Sequence, residues 1–296
     1  MEDRRRFVAL GDSFTEGVGD PHQRLPNGVR GWADRVADRL AKAEPGWGYA
    51  NLAIRSKRLG QIVDEQLAPA LALRPTLITL YAGGNDILDL GTDMTDLIAR
   101  YEALVDALAT TGASLVLFTG FDIPGLPAPR MFVRRNRLYN SAVRRIARER
   151  GGILVDYWRM QEFGSPVLWA SDRMHLSTRG HRVLAGRVLD TLGVPHSIST
   201  GPWEAPEPLS LRERLRDQQR WAADWVLPLV GRKLRRVTLG DHLSPRWPEP
   251  VLVPPQGGLR RLVRTTPQRE GTPTRGGSPR SRAPTTNRGS LGPRSD

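Results

Sequence analysis

Cysteine is absent from this chain of 296 residues, which excludes disulfide bonds, thiol nucleophiles and thiolate metal sites. The chain also lacks any apolar run of about 18 residues, the length of a membrane-spanning helix, so we expect no transmembrane segment. Near the N-terminus only four apolar residues follow the basic stretch. That run is too short for the apolar core of a secretory signal peptide, and we therefore expect a cytoplasmic location.

Acidic residues are too few to balance the basic ones, most of all near the C-terminus. The whole chain has 44 Lys and Arg against 31 Asp and Glu, and residues 201–296 have 18 against 9. This excess suggests an alternative function, in which an inactive scaffold binds nucleic acid or another anionic surface. The arginines of residues 256–296 have no interleaved aromatic residues on which bases would stack. We therefore expect no specific nucleic-acid binding and at most a weak, salt-sensitive contact with anionic surfaces.

Residues 1–200 alternate between short apolar blocks and segments of helical periodicity. The blocks are rich in β-branched and aromatic residues, which predicts strands of a parallel sheet with helices on both faces and hence an α/β fold. The predicted strands are 7–10, 49–54, 77–81, 115–119 and 153–155. The predicted helices cover about 31–43, 59–72, 94–111, 131–150 and 178–192.

The pattern changes after this α/β region. Residues 210–236 have the periodicity of an amphipathic helix that is broken near Pro228, and we expect its apolar face to pack on the main domain. A basic helix that binds surfaces is the alternative. The residues that share this face are Trp221, Trp225 and Leu229. Beyond about residue 256 Pro, Gly, Ser, Thr and Arg dominate, which predicts a disordered tail that is dispensable for folding. The predicted organisation is an α/β domain at 1–200, a helical extension at 201–255 and a disordered basic tail at 256–296.

Polar residues follow the first and third predicted strands, at the sheet edge where open α/β folds bind their ligands. Ser13 ends the motif GDS after the first strand, and Asn85 lies in GGND after the third. Asp172 and His175 stand three residues apart in a loop before the last predicted helix. A serine, a histidine and an acid are the components of a hydrolase triad, and Asn85 adds an amide donor for a developing oxyanion.

Each of these residues also has a plainer interpretation. Ser13 and Glu16 fit the S-x-x-E capping box that opens many helices. Asn85 is a common turn residue, and His175 alone would be an ordinary surface histidine. His181 is expected on the surface of a helix rather than as a second base.

Taken together, and in this order along the chain, the motifs GDS, G-x-N-D and D-x-x-H resemble those of the GDSL, or SGNH, hydrolase family. The resemblance implies a three-layer, flavodoxin-like α/β/α sandwich with a five-stranded parallel sheet. It implies a serine esterase or lipase-like acyl hydrolase that acts on a small-molecule or lipid-like ester and needs no cofactor. It further implies Ser13 as nucleophile, His175 as base, Asp172 as the acid that orients His175, and the Ser13 N–H and Asn85 amide as oxyanion donors.

One motif of the family is only partly present. Asn51 fits its second block, but Ser56 stands where the family usually has a glycine whose backbone N–H is an oxyanion donor. A serine N–H can donate equally well, although glycine adopts positive φ at lower cost. We predict Ser56 as the third donor, either in a tolerated conformation or in a weaker oxyanion hole.

The sequence does not identify the ester or support a metal site. Apolar residues in the loops after the third and fourth strands would form either an acyl site or part of the core: Leu88, Leu90, Ile123, Leu126, Met131 and Phe132. Three nearby carboxylates are spaced closely enough to suggest metal ligands, but the family needs no metal and we expect none: Asp86, Asp89 and Asp93.

Overall fold

A central sheet organises the chain in the computed structural model, which describes residues 5–121, 130–200, 210–226 and 238–265. Within these ranges the strands are β1 (Arg6–Gly11), β2 (Gly48–Asn51), β3 (Leu77–Tyr81), β4 (Ser114–Phe118), β5 (Ile153–Val155) and β6 (Trp247–Leu252). The helices are α1 (Ser13–Glu16), α2 (Trp32–Ala43), α3 (Leu59–Ile62), α4 (Ala68–Ala72), α5 (Gly84–Ile87), α6 (Met94–Ala109), α7 (Arg130–Glu149), α8 (Thr178–Thr191), α9 (Leu211–Trp221) and α10 (Leu259–Thr265).

The strand order across the sheet is β5-β4-β3-β1-β2-β6. The first five of these strands are parallel, as predicted, and β6 pairs antiparallel with β2. The predicted five-stranded sheet is therefore extended by a sixth strand, which lies in residues assigned to a helical extension. Its sequence WPEPVL contains Pro248 and Pro250. Proline cannot donate to a strand ladder and is confined to edge strands and bulges, which is why the pattern did not predict a strand.

Alternate residues of β1 divide the core into two layers. Phe7 and Ala9 face the layer that contains α2 and α8, while Val8 and Leu10 face the layer that contains α3 and α6. All four side chains are buried, as expected for a parallel strand covered on both faces. The α/β/α sandwich is thereby confirmed, and the carboxyl ends of β1 and β3 lie side by side.

The helices of the α/β region begin and end close to their predicted positions. The segment predicted as one helix over 59–72 contains a π turn, Val63–Leu67, between α3 and α4. The predicted second strand ends earlier than expected, at Asn51. There the Asn51 side chain accepts the Ala53 N–H at 3.1 Å and donates to the Thr15 carbonyl of α1 at 3.1 Å.

The C-terminal boundary of the ordered region also differs from the prediction. Residues 256–265 form a turn and α10 rather than a disordered tail. The Leu259 side chain is 0% exposed, and its backbone N–H donates to Asp38 Oδ1 at 2.8 Å. One buried leucine and one partly buried hydrogen bond thus hold a segment whose composition looked too polar to fold. The rest of the predicted tail, 266–296, lies outside the described residues.

The amphipathic segment after residue 210 forms α9, which continues through a π turn, Ala222–Val226. Leu229 and the remainder of the predicted helix lie outside the described ranges. None of the helices that the structure describes is long and apolar enough to span a membrane.

Candidate active site

Ser13 stands at the carboxyl end of β1. The turn that presents it depends on Gly11 and on Asp12, the N-cap of the following helix. Gly11 has φ 147°, and a Cβ there would collide with the carbonyl oxygen of Tyr81. Asp12 then caps α1, because its Oδ1 accepts the backbone N–H of Phe14 at 3.0 Å. Ser13 is consequently the first helical residue, with its hydroxyl left available at the end of the strand.

This geometry overturns the capping-box interpretation of Ser13. The N-cap is Asp12, one residue earlier. Glu16, the acidic residue of the suggested capping box, does not contact Ser13 in this way. Its carboxylate binds the Arg55 guanidinium and accepts the Arg55 backbone N–H at 2.7 Å. Ser13 therefore has no capping role, and its hydroxyl contacts a histidine instead.

Ser13, His175 and Asp172 form one chain of hydrogen bonds. His175 Nε2 lies 2.9 Å from Ser13 Oγ, and His175 Nδ1 lies 2.6 Å from Asp172 Oδ2. Burial alone would raise the pKa of Asp172, but the hydrogen bonds and charge of His175 and the Met174 N–H bring it below its usual value. The ionised Asp172 accepts a hydrogen bond from the Nδ1–H of His175, which leaves Nε2 free to accept the proton of the Ser13 hydroxyl.

The loop that carries the acid and the histidine is fixed from two sides. Inside the loop, Asp172 Oδ1 accepts the backbone N–H groups of Met174 and His175, each at 2.9 Å. Outside it, the Trp221 indole N–H donates to the Asp172 carbonyl at 2.9 Å, and the Arg173 guanidinium lies 5.2 Å from the Trp221 ring centroid. Trp221 of α9 therefore contacts the main domain, as its face of the helix was predicted to do.

Asn85 is brought to the same edge of the sheet by the turn after β3. Gly83 has φ 89°, and a Cβ there would collide with Tyr139. The Asn85 amide nitrogen donates to the Lys57 carbonyl at 2.9 Å and lies 3.2 Å from Asp12 Oδ2. The Asn85 side chain is thus held between Asp12, which precedes Ser13, and Lys57, which follows Ser56.

Ser56 adopts the left-handed conformation in which glycine would be favoured, with φ 67°. A serine therefore occupies a conformation that glycine would adopt at lower cost, and its role as the third oxyanion donor stays a prediction. The residue before it, Arg55, is held by the Glu16 carboxylate. Within the described residues, neither the Ser13 nor the Ser56 backbone N–H donates a hydrogen bond. Two unpaired backbone donors therefore accompany the Asn85 amide.

The carboxylates around this turn have other partners than a metal. Burial raises the pKa of Asp12 to about 7, against the opposing effect of the Phe14 N–H. Asp86 accepts the Leu59 N–H at 2.9 Å. Arg58 pairs with Asp89, and Asp93 caps α6. No group of three His, Asp or Glu side chains in the described ranges is arranged to hold a metal ion.

His181 is buried, and the expectation of a surface histidine is wrong. The imidazole is 0% exposed; its Nδ1 accepts the Trp32 N–H at 3.2 Å and its Nε2 donates to the Val18 carbonyl at 3.0 Å. Burial lowers its pKa to about 4, so the ring is neutral. The signal that was missed is helical spacing: His181 continues the buried stripe of Leu184 and Val188.

Some residues suggested for an acyl site are exposed and others lie outside the described residues. Leu88, Leu90 and Met131 are exposed rather than part of the core. Arg135 of α7 donates to the carbonyl groups of Asp89 and Thr92, in the loop that carries Leu88 and Leu90, so the start of α7 lies against that loop. Ile123 and Leu126 fall outside the described ranges.

Comparison with known proteins identifies relatives with the same fold. The acetylxylan esterase Axe2 from Geobacillus stearothermophilus is 22% identical with a TM-score of 0.55, over 64% of this chain and 95% of that one. TesA is 21% identical with a TM-score of 0.53, over 64% of this chain and 98% of that one. The psychrotrophic esterase EstA from Pseudoalteromonas sp. is 17% identical with a TM-score of 0.52, over 64% of this chain and 97% of that one. No protein of curated function matches the chain in sequence.

A match to a protein family in sequence is more specific than these similarities in structure. Residues 9–183, more than half of the chain, match the GDSL-like lipase/acylhydrolase family. The matched segment begins within β1 and includes Ser13, Asn85, Asp172 and His175. The chain belongs to the GDSL-like lipase/acylhydrolase family.

Proposed function

We propose that this protein hydrolyses carboxylic esters through a covalent acyl-enzyme on Ser13. The observation that carries the proposal is the hydrogen-bonded series Ser13–His175–Asp172 in a member of an acylhydrolase family. The substrate is a small-molecule or lipid-like ester. The exposed Leu88, Leu90 and Met131 are candidates for contact with its acyl group.

The reaction proceeds by two acyl transfers. His175 Nε2 takes the hydroxyl proton as Ser13 Oγ attacks the ester carbonyl carbon, and the same proton then passes to the departing alcohol. A water molecule loses its proton to Nε2 and attacks the acyl carbon, and the protonated His175 returns that proton to Ser13 Oγ as the acid is released. Asp172 stays ionised throughout, holds the Nδ1 proton in place and stabilises the charged imidazole.

Three donors stabilise the oxyanion in this proposal: the backbone N–H groups of Ser13 and Ser56 and the side-chain amide of Asn85. The two backbone groups have no other acceptor within the described residues. The Asn85 amide contacts both the Lys57 carbonyl and Asp12, and the contact to Asp12 is the longer at 3.2 Å. We propose that the oxyanion takes the amide hydrogen directed at Asp12, while the bond to Lys57 keeps the amide oriented.

A fluorophosphonate probe tests the nucleophile directly. The probe should modify Ser13 of the wild-type protein, as read by mass spectrometry of the labelled peptide, and should not modify Ser13→Ala. Ser114→Ala is the matched control, because Ser114 is an exposed serine at the start of β4, and it should be labelled like the wild type. Labelling that persists in Ser13→Ala would contradict the assignment. A panel of p-nitrophenyl esters of increasing acyl length would then define the substrate.

We further propose that the basic tail adds a weak contact with anionic surfaces to this activity. Residues 266–296, the part of the predicted tail beyond α10, contain six arginines against Glu270 and Asp296, which favours an electrostatic, salt-sensitive attachment. Co-sedimentation with anionic vesicles should fall on truncation after Thr265, and high salt should remove the difference. The cytoplasmic location stays a prediction.

A further inference from the structure

The C-terminal segment 238–265 lies outside the part of the chain that matches the family, which ends at residue 183. The solved relatives are themselves matched almost completely, but cover only about two thirds of this chain. The segment nevertheless returns to the sheet as β6 and passes beside the turn that carries Ser13. Its most buried polar residue, Arg246, has a side chain with no exposed surface.

Arg246 connects this segment to the end of the nucleophile helix. Its guanidinium forms a two-pronged ion pair with Asp34 of α2, at 3.0 and 2.7 Å. The same group donates to the Glu16 carbonyl at 2.9 Å, and its Nε donates to the Pro26 carbonyl at 3.0 Å. Glu16 is the last residue of α1, and a carbonyl at a helix end has no partner within its helix. Arg246 supplies that partner.

The Glu16 side chain extends the connection from α1 to the loop of Ser56. Its carboxylate receives the Arg55 backbone N–H at 2.7 Å and two guanidinium contacts at 2.9 and 2.7 Å. Asn27 bridges this carboxylate, at 3.0 Å, to the Ser244 carbonyl, at 3.1 Å. A single buried residue is therefore bonded through its carbonyl to Arg246 and through its carboxylate to the residue before Ser56.

The C-terminal segment also touches the Ser56 loop directly. Gly240 packs so closely on Arg55 that a Cβ at Gly240 would collide with the Arg55 carbonyl oxygen. Arg55 is thus enclosed between the Glu16 carboxylate on one side and the backbone at Gly240 on the other. The segment 238–246 consequently contacts Glu16, the last residue of α1, and Arg55, the residue before Ser56.

We propose that Arg246 is a positioning residue for ester hydrolysis, through which the C-terminal segment sets the position of the Ser13 helix relative to the Ser56 loop. The inference rests on the proposed function, in which these two elements supply the nucleophile and an oxyanion donor. Acyl transfer depends steeply on such placement, since a displacement of about 1 Å can cost about 10²-fold in rate. A network that reaches both elements therefore governs turnover more than substrate affinity.

Three variants separate positioning from general stability. Arg246→Lys keeps the charge beside Asp34 but loses the planar fork that reaches four acceptors. The methyl group added by Gly240→Ala would collide with the Arg55 carbonyl oxygen and displace it, and this variant removes no charge. Arg144→Lys is the matched control, because Arg144 makes a similar two-pronged pair with Asp156 but has no bond to α1 or the Ser56 loop among the described contacts.

The experiment measures kcat, KM and backbone hydrogen exchange well below each thermal midpoint. Arg246→Lys and Gly240→Ala should lower kcat about 10-fold or more with KM within about twofold, and should speed exchange in peptides that cover α1 and residues 52–58. Arg144→Lys should leave kcat and that exchange unchanged. If Arg246→Lys fails to fold, because a disturbed buried ion pair is costly, Gly240→Ala decides the outcome.

Two folded variants with wild-type kcat and wild-type exchange in these peptides would overturn the inference. A kcat loss shared by Arg144→Lys would overturn it as well, since the effect would then be general. If the wild-type protein neither hydrolyses esters nor reacts with the phosphonate at Ser13, the proposed function fails. The exchange measurement would still decide whether Arg246 and Gly240 control the two elements.

Discussion

Asn85 and Asp12 are hydrogen-bonded to each other, Nδ2 to Oδ2 at 3.2 Å, although they follow different strands of the sheet. The second hydrogen of the same amide is bound by the Lys57 carbonyl at 2.9 Å. The Asn85 side chain is therefore oriented before any substrate arrives, which is the condition under which a donor stabilises an oxyanion most effectively.

Replacing Asn85 by alanine should consequently reduce turnover far more than substrate binding. Loss of one preorganised donor commonly costs about 10²–10³ in kcat, and KM should change little. Steady-state kinetics on a soluble p-nitrophenyl ester provide the measurement. A large rise in KM with kcat preserved would show that Asn85 binds the ground state and is not an oxyanion donor.

The Ser13→Ala variant should fold normally and lose ester hydrolysis. The N-cap of α1 is Asp12, so the variant avoids the loss of about 1 kcal/mol that removal of a capping serine usually brings. Thermal unfolding and a hydrolysis assay on the same preparation test both statements. Hydrolysis retained in the folded variant would exclude Ser13 as the nucleophile.

Ser56→Gly should leave stability and turnover unchanged or slightly raised. The left-handed conformation at φ 67° costs a residue with a Cβ about 1 kcal/mol, and glycine removes that cost while losing a similar amount through its freedom in the unfolded chain. Ser56→Val, which adds a β-branch at the same φ, should lower both the thermal midpoint and kcat. A large loss of kcat in Ser56→Gly would reveal a role for the serine hydroxyl itself.

The buried histidine predicts a specific sensitivity to acid. The pKa of His181 is about 4 in the folded protein and about 6.5 when exposed, so the unfolded chain binds an additional proton between these values. Its favourable contribution is complete above pH 6.5 and is lost as the pH falls through about 4, by about 3 kcal/mol in all. His181→Gln, which keeps one acceptor and one donor, should show a shallower fall in the free energy of unfolding across this range. An unchanged pH dependence would refute the assignment.

Truncation should distinguish the folded C-terminal segment from the residues beyond it. A chain ending at Thr265 should keep its thermal midpoint and its turnover on short-chain esters. A chain ending at Pro255 loses the fully buried Leu259, whose burial contributes about 1.5–3 kcal/mol, and its thermal midpoint should fall. Equal midpoints for the two truncations would place the boundary of the folded domain before α10.

The parts that sequence predicted well are those fixed by local pattern. The apolar blocks at β1 and β3 are buried on both faces and could hardly form anything but central strands. Asp172 and His175 are three residues apart, so their contact needs only one loop. Ser13 was placed beside them by the rule that ligands bind beyond the carboxyl ends of parallel strands.

The features that sequence missed depend on partners far away in the chain. β6 pairs with β2, about two hundred residues earlier, and its two prolines removed the strand pattern. His181 is buried because α8 packs against α2, and a polar side chain in a helical stripe does not reveal that contact. Arg246 looked like one more arginine of a basic C-terminal region, whereas its buried partner Asp34 neutralises it.

The composition of β6 has a consequence for how copies of this protein behave at high concentration. An open sheet presents unpaired N–H and C=O groups along its two outer strands, where a second molecule can add a strand of its own. In the described part of the chain these outer strands are β5, which has only three residues, and β6, in which Pro248 and Pro250 lack an N–H and Glu249 adds charge. Neither strand therefore offers a long row of unpaired backbone groups to which a second molecule could add a strand. β6 also covers β2 by pairing with it. A chain that ended before β6 would leave β2 uncovered and should aggregate through that strand.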